Sequence, residues 1–174
     1  MRKKRLLQLT AALLCAVILS ACGGAPADAD YTCTVSISCA TILDNMDQCA
    51  ESKKELVPAD GVILPPTEVA FAEGESAFDV LQRVCRDNGI HLESKFTPVY
   101  NSAYIQGIHN IYEFDVGKLS GWMYAVNDWF PNYGCSLYQV QDGDVIRWVY
   151  TCDLGADVGG GQAAGDGRQE GAGT

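Results

Sequence analysis

One stretch of this 174-residue chain repeats its apolar residues at a helical interval, amid segments that repeat at the interval of a strand. Phe78, Leu81, Val84 and Cys85 recur along one face, behind Ser76-Ala77-Phe78-Asp79, a candidate capping box, and ahead of Asn88-Gly89, which stops the run. This predicts a single amphipathic helix of about three turns. The clearest strand precedes it, where Tyr31, Cys33, Val35, Ile37 and Cys39 alternate with Thr32, Thr34, Ser36 and Ser38. Residues 68–71 read as a short second strand after the breakers Pro58, Gly61 and Pro65-Pro66. Further strands are predicted at residues 90–97, 104–108, 122–126, 136–140 and 145–152, with Pro98, Asn101-Ser102, Gly121, Asn127-Asp128 and Asp142-Gly143 at the turns.

A strand, a hairpin, one helix and then more strands make an α+β arrangement, β-grasp-like, with a mostly antiparallel sheet and the one helix packed on it. The opposite face stays free for solvent, a ligand or the long loop at residues 100–119.

The chain ends read differently. Arg2-Lys3-Lys4-Arg5 precedes an apolar run over residues 6–19, interrupted by Gln8 and Thr10, and the run closes on Leu19-Ser20-Ala21-Cys22. An ordinary cleaved signal and a short membrane anchor are alternative readings, but the run falls short of the ~20 residues of a spanning helix. The pattern resembles that of bacterial lipoproteins. The resemblance implies a signal peptide over residues 1–21, lipidation of Cys22, and a protein held by lipid on the extracytoplasmic face of the cell membrane. Residues 22–30 are then a short tether and residues 31–154 the folded domain. Residues 155–174, with eight glycines and no aromatic side chain, read as a disordered Gly-rich tail.

Loss of the leader leaves eight basic residues against 22 acidic ones, a formal charge of −14. Such a surface repels nucleic acid and anionic lipid, so no nucleic-acid partner is expected. Six cysteines remain for the domain: Cys33, Cys39, Cys49, Cys85, Cys135 and Cys152. In an exported protein they read as up to three disulfides with 15 connectivities, although unpaired thiols also occur in exported proteins of anaerobes. A hairpin turning at Asp142-Gly143 places Cys135 opposite Tyr150 and diagonal to Cys152, which makes Cys135 and Cys152 the disulfide candidates. No Cys-x-x-Cys pair is present and only His91 and His109 could assist, so no metal site is predicted. Asp142 and Asp144 read as turn residues rather than a calcium loop.

Residues 121–138 hold six of the 16 aromatic residues. Trp122, Tyr124 and Val126 share a strand face directed to the core. Trp129, Phe130 and Tyr133 fall in a loop between an Asn-Asp turn and a Pro-Asn-Tyr-Gly turn, where large rings either fold back as a plug or touch a partner. Asn127 and Asn132 flank them with donors and acceptors suited to amides. Asn127, Trp129, Phe130, Asn132 and Tyr133 are therefore the candidate ligand-binding residues.

Gly-Trp-Met-Tyr-x-Val-Asn from Gly121, followed by Tyr-x-x-x-Asp-Gly-Asp-x-Ile-x-Trp-x-Tyr from Tyr138, resembles the signature of the DUF4430 family, and the block from Glu73 to Leu81 is similar to that family's helix. The resemblance spans residues 31–154. It implies a domain similar to the C-terminal β-rich domain of transcobalamin and intrinsic factor, a binding module outside the cell with cobalamin or a related corrinoid as ligand. It implies no catalysis and no required cofactor. Proteins of the transcobalamin type close the corrinoid between this domain and a helical barrel, so a partner such as a transporter or surface protein is expected to complete the site. The family position usually held by Gly after Val-Asn is Asp128 here. Outside the resemblance, no Gly-x-Ser-x-Gly, His-Glu-x-x-His or phosphate-binding Gly-Lys-Ser is present, and the chain is not expected to be an enzyme. The competing reading is a docking module for another surface protein or for the envelope.

Overall fold

In the computed structural model, which describes residue 26 and residues 29–160, the strands divide between two sheets rather than one. The leader, Cys22, most of the tether and residues 161–174 lie outside the described residues. Among the described residues no helix is long and apolar enough to cross a membrane.

Alternation in the sequence builds β1 (Tyr31–Ser38), which buries Cys33, Val35 and Ile37 on one face. It pairs antiparallel with β2 (Val62–Phe71), an edge strand whose Pro65-Pro66 coincides with shifts in register. The helix α1 (Ala77–Asp87) follows, with its capping box formed as expected: Ser76 Oγ accepts from Asp79 N (3.2 Å) and Asp79 accepts from Ser76 N (2.9 Å). Val80, Leu81, Val84 and Cys85 are buried, whereas Phe78 is only half-buried. Arg83 is buried as well, because its guanidinium meets Glu75 and donates to the Ala70 carbonyl (2.9 Å).

A three-stranded antiparallel sheet comes next, ordered β3 (Leu92–Thr97), β4 (Ser102–Ile108) and β5 (Ile111–Tyr112). The chain then returns to the first sheet as β6 (Gly121–Val126) and β7 (Val145–Thr151), giving the order β2-β1-β7-β6. β7 runs parallel to β1 and antiparallel to β6, and the remaining pairs in both sheets are antiparallel. The α+β class with one main helix and mostly antiparallel strands therefore holds.

Two aromatic side chains join the sheets through their polar tips. Trp122 Nε1 donates to the Ile111 carbonyl (2.8 Å), and the Tyr150 hydroxyl donates to the Tyr112 carbonyl (2.7 Å). Their rings meet edge to face at 5.3 Å.

The predicted strand at residues 136–140 does not form. Val140 N donates to Glu75 O and Ala77 N to Tyr138 O, so this segment lines the entry to α1 instead of pairing with β7. Its buried residues, Tyr138 and Val140, satisfy the alternation, but the backbone partners of the segment come from the helix approach. The register that placed Cys135 opposite Tyr150 is accordingly corrected: Tyr150 faces Trp122. Cys135 Sγ lies 3.6 Å from Ala103 O, Cys152 Sγ lies 3.8 Å from Thr41 Oγ1, and all six described cysteines are free thiols.

Burial pushes the Cys33, Cys39, Cys85 and Cys135 thiols up to about 12. At pH 8 each then carries about 1000-fold less thiolate than an exposed cysteine. In the reduced native protein, iodoacetamide is expected to label the half-buried Cys152 first, while Cys85 and Cys135 label only on unfolding. Mass spectrometry of timed samples checks the order, and early label on Cys85 would contradict it.

The segment after β7 is ordered further than its composition suggests. Cys152 N donates to Asp157 (2.7 Å), Gly155 N to Thr151 Oγ1 (2.7 Å) and Gly160 N to Gly155 O (2.7 Å), around a short 3-10 turn at Ala156–Val158. Asp157 and Thr151 clasp one another, so the glycine-rich start of the predicted tail is part of the fold as far as Gly160.

Candidate functional site

The site is built where β6, an edge of the first sheet, comes beside β4 of the second without a hydrogen-bonded ladder between them. Asn127 and Asp128 turn the chain after β6, both with positive φ (50° and 66°), and Val126 and Trp129 exchange backbone hydrogen bonds in a two-residue hairpin. A glycine adopts this second position freely and Asp tolerates it, which explains the departure at Asp128. Its carboxylate is paired with Arg147 at 2.9 Å and does not line the cleft described below.

Residues 129–136 then wrap toward β4. Ala103 N donates to Ser136 Oγ (3.0 Å) and Ser136 N to Ser102 Oγ (3.2 Å), a reciprocal tie between the loop and the start of β4. A Cβ on Gly134 would stand 2.0 Å from Ser102 Oγ, so this approach requires glycine. The Tyr124 hydroxyl donates to the Tyr133 carbonyl (2.9 Å) and fixes the loop to β6.

These ties enclose a cleft of about 550 Å³, with Tyr100 and Tyr104 on one side and Met123, Phe130, Asn132 and Tyr133 on the other. Among the described residues no charged side chain lines it. A smaller recess of about 190 Å³ shares Ala103, Tyr104, Met123, Pro131 and Gly134 with the cleft and reaches inward to Trp122, Tyr124 and Trp148. The Tyr104 hydroxyl donates to Glu113 (2.6 Å). Desolvation, with Glu113 second, pushes that hydroxyl up to about 12, so it stays neutral at physiological pH. The result is an open, aromatic, uncharged concavity suited to one face of a flat molecule.

The structure separates the five candidate residues. Phe130, Asn132 and Tyr133 line the cleft, whereas Asn127 and Trp129 do not. Both ends of the Asn127 amide are occupied: Nδ2 donates to Asp144 Oδ1 (2.8 Å) and Oδ1 accepts from Val145 N (2.9 Å). Trp129 is half-buried against the main core and meets the Tyr133 ring edge to face at 5.9 Å. Phe130 is 7% exposed and packs with Ala125 and Val149 on the sheet face away from that core. It is the folded-back plug, and only one edge of it reaches the cleft. Tyr133, 37% exposed, and Asn132 remain presented to solvent.

Asp144 is buried, and its carboxylate accepts from the Tyr138 hydroxyl (2.8 Å), Gln141 N (2.8 Å) and Asn127 Nδ2 (2.8 Å), while Asp142 accepts from Thr32 N (2.9 Å). Both aspartates hold the turn. Among the described residues no group of three or more His, Cys, Asp or Glu side chains could hold a metal ion.

Tyr100, Tyr104, Met123 and Leu154 were not among the sequence candidates. Tyr104 is 45% exposed although Ser102, two positions before it on the same strand face, and Ile105 are buried, so burial along β4 does not alternate and gives no local signal for it.

The family described as "Domain of unknown function (DUF4430)" matches residues 74–152, which includes α1 and β3 to β7. No curated protein matches the chain. Among solved structures, haptocorrin in complex with Cbi is similar at 13% identity and a TM-score of 0.48, covering 71% of this chain and 26% of the other. The chain thus spans about a quarter of the haptocorrin chain. A Ruminococcus gnavus ATCC 29149 protein described as a "putative metal binding protein" is similar at 13% identity and a TM-score of 0.42, covering 70% of this chain and 97% of the other.

Proposed function

We propose, from the DUF4430 match over residues 74–152 and the chemistry of the cleft, that this domain is a non-catalytic binding module that captures a flat, uncharged, amide-bearing ligand. The observation that carries the reading is the 550 Å³ concavity with aromatic walls and, among the described residues, no charged side chain in its lining. Tyr100, Tyr104 and Tyr133 offer ring faces and hydroxyls, and the exposed Asn132 offers an amide to pair with amides. A corrinoid, cobalamin or a related form, has this chemistry and is the ligand that the family resemblance implies. Lipidation of Cys22 would hold the module on the extracytoplasmic face of the membrane, where a transporter or second surface protein takes over the cargo. One open face gives modest affinity alone, since association costs several kcal/mol before any contact counts.

The test is calorimetric titration of the full-length protein with cyanocobalamin and with dicyanocobinamide, with intrinsic fluorescence as a second readout. Saturable binding of both in the micromolar range is expected. Absence of heat and of fluorescence change at millimolar ligand rejects the corrinoid.

A docking module for a surface protein or the envelope is the second reading, favoured by Phe96, Val99 and Tyr100, which are 59%, 85% and 71% exposed around the turn between β3 and β4. Alanine at Val99 and Tyr100 together would abolish partner capture in that case, with corrinoid binding absent in the unaltered protein.

A further inference from the structure

The cysteines regroup once the strand order is known. β1 and β7 run side by side in parallel, with Val35 opposite Ile146 and Ile37 opposite Trp148, all on the core face. Continuing both strands on that alternation brings Cys39 and Cys152 to the same face at the same end of the sheet. The chain turns at Cys39 into a 3-10 segment (Ala40–Asn45) that folds over the end of β7, where the Thr41 hydroxyl donates to the Tyr150 carbonyl. Cys152 Sγ lies 3.8 Å from that same Thr41 Oγ1. Cys152 therefore lies against the turn that begins at Cys39.

Beyond the effect of burial, Cys49, bridged to Val116, stands near enough to raise the Cys39 and Cys152 thiols, and Cys152 in turn stands near enough to raise Cys39. Cys33, Cys85 and Cys135 show no such mutual influence. Cys152 differs from the other five in being only half-buried, so it is the thiol that an oxidant in solution reaches.

We infer that Cys39 and Cys152 form a disulfide that staples the end of β1 to the end of β7, with Cys49 the neighbouring unpaired thiol. The oxidant is a small-molecule disulfide or a thiol oxidoreductase. The Cys152 thiolate attacks that disulfide, one of its sulfurs leaves as a thiolate, and the Cys39 thiolate then displaces the second from the mixed disulfide. Two protein thiols are oxidised, one external disulfide is reduced to two thiols, and the two protons released go to the departing thiolates. An exported domain meets such oxidants, and a link from residue 39 to residue 152 encloses nearly the whole fold.

The reduced full-length protein is incubated in oxidised and reduced glutathione, quenched in acid, alkylated under denaturing conditions and digested for mass spectrometry. The expected result is a linked peptide pair containing Cys39 and Cys152, two hydrogens lighter than the separate thiols, with Cys33, Cys85 and Cys135 alkylated. The link should persist in Cys49→Ser and vanish in Cys39→Ser. Its formation should raise the unfolding temperature by about 10 °C relative to reduced protein. Alkylation of both Cys39 and Cys152 under fully oxidising glutathione overturns the inference. So does Cys152 joined to Cys49, to Cys135 or to glutathione alone.

Discussion

Asp144→Ala is expected to destabilise the domain by about 2–4 kcal/mol, read as a fall in the urea midpoint at unchanged slope. The residue is 3% exposed and its carboxylate accepts from a buried tyrosine hydroxyl, a backbone N–H and the Asn127 amide. Alanine leaves the Tyr138 hydroxyl without this acceptor in a buried place, a loss that costs about 1–3 kcal/mol, and it frees the part-buried Gln141 N and Asn127 amide from the turn at a smaller cost each. The effect also spreads. Asn127 holds the turn after β6 through the same carboxylate, so one side chain ties the positions of β6 and β7, while the tie to β1, Thr34 N to the Asp144 carbonyl (2.8 Å), is backbone and survives in the variant. Asp144→Asn keeps one acceptor oxygen and should cost about half as much. A loss below about 1 kcal/mol for the alanine variant would falsify the view that this aspartate organises the turn rather than waiting for a cation.

Phe130→Ala and Tyr133→Ala are expected to part company completely. Phe130 is buried between Ala125 and Val149, and a Cβ on Gly160 would stand 2.9 Å from its ring, so its removal should cost about 3–4 kcal/mol of stability. Tyr133 presents its ring to the cleft, while the contact that matters to the fold is its backbone carbonyl, which alanine retains. Tyr133→Ala should therefore cost about 1 kcal/mol or less of stability but weaken ligand binding at least tenfold, by about 1.4 kcal/mol. Urea unfolding and cobinamide titration of both variants make the comparison. Equal loss of binding in two equally stable variants would return Phe130 to the ligand surface.

What could be read from sequence followed the range of the interaction. The helix was legible because its stripe, capping box and Asn-Gly stop lie within fifteen residues, and β1 because alternation needs no partner to be recognised. The Asn127-Asp128 turn was legible for the same reason. The partners of β7 were not. Its nearest apolar neighbour in the chain, residues 136–140, alternates like a strand, and nothing local says that Glu75 and Ala77 will take its hydrogen bonds or that β1, over a hundred residues away, will lie beside β7. The pairing of Cys135 with Cys152 failed on that same step.

The cleft inherits this limit. Asn132 and Tyr133 were visible as loop residues, but the opposite wall comes from β4 and the turn before it, and Met123 and Leu154 complete the lining. Phe130 was ambiguous because its cover comes from residues 155–160, a glycine-rich stretch whose order depends on the clasp between Asp157 and Thr151. Composition describes what such a segment can bury by itself, not what another part of the chain offers it.

That clasp also decides where the domain may be cut. The family match stops at Cys152, and a truncation there would look safe by homology. It would remove Asp157, Val158 and Gly160 together, and so strip the backing from the ring that closes one side of the cleft. A shortened protein of that kind keeps its helix and both sheets, yet loses the hollow, because Leu154 and Gly160 leave its lining together with the backing of Phe130.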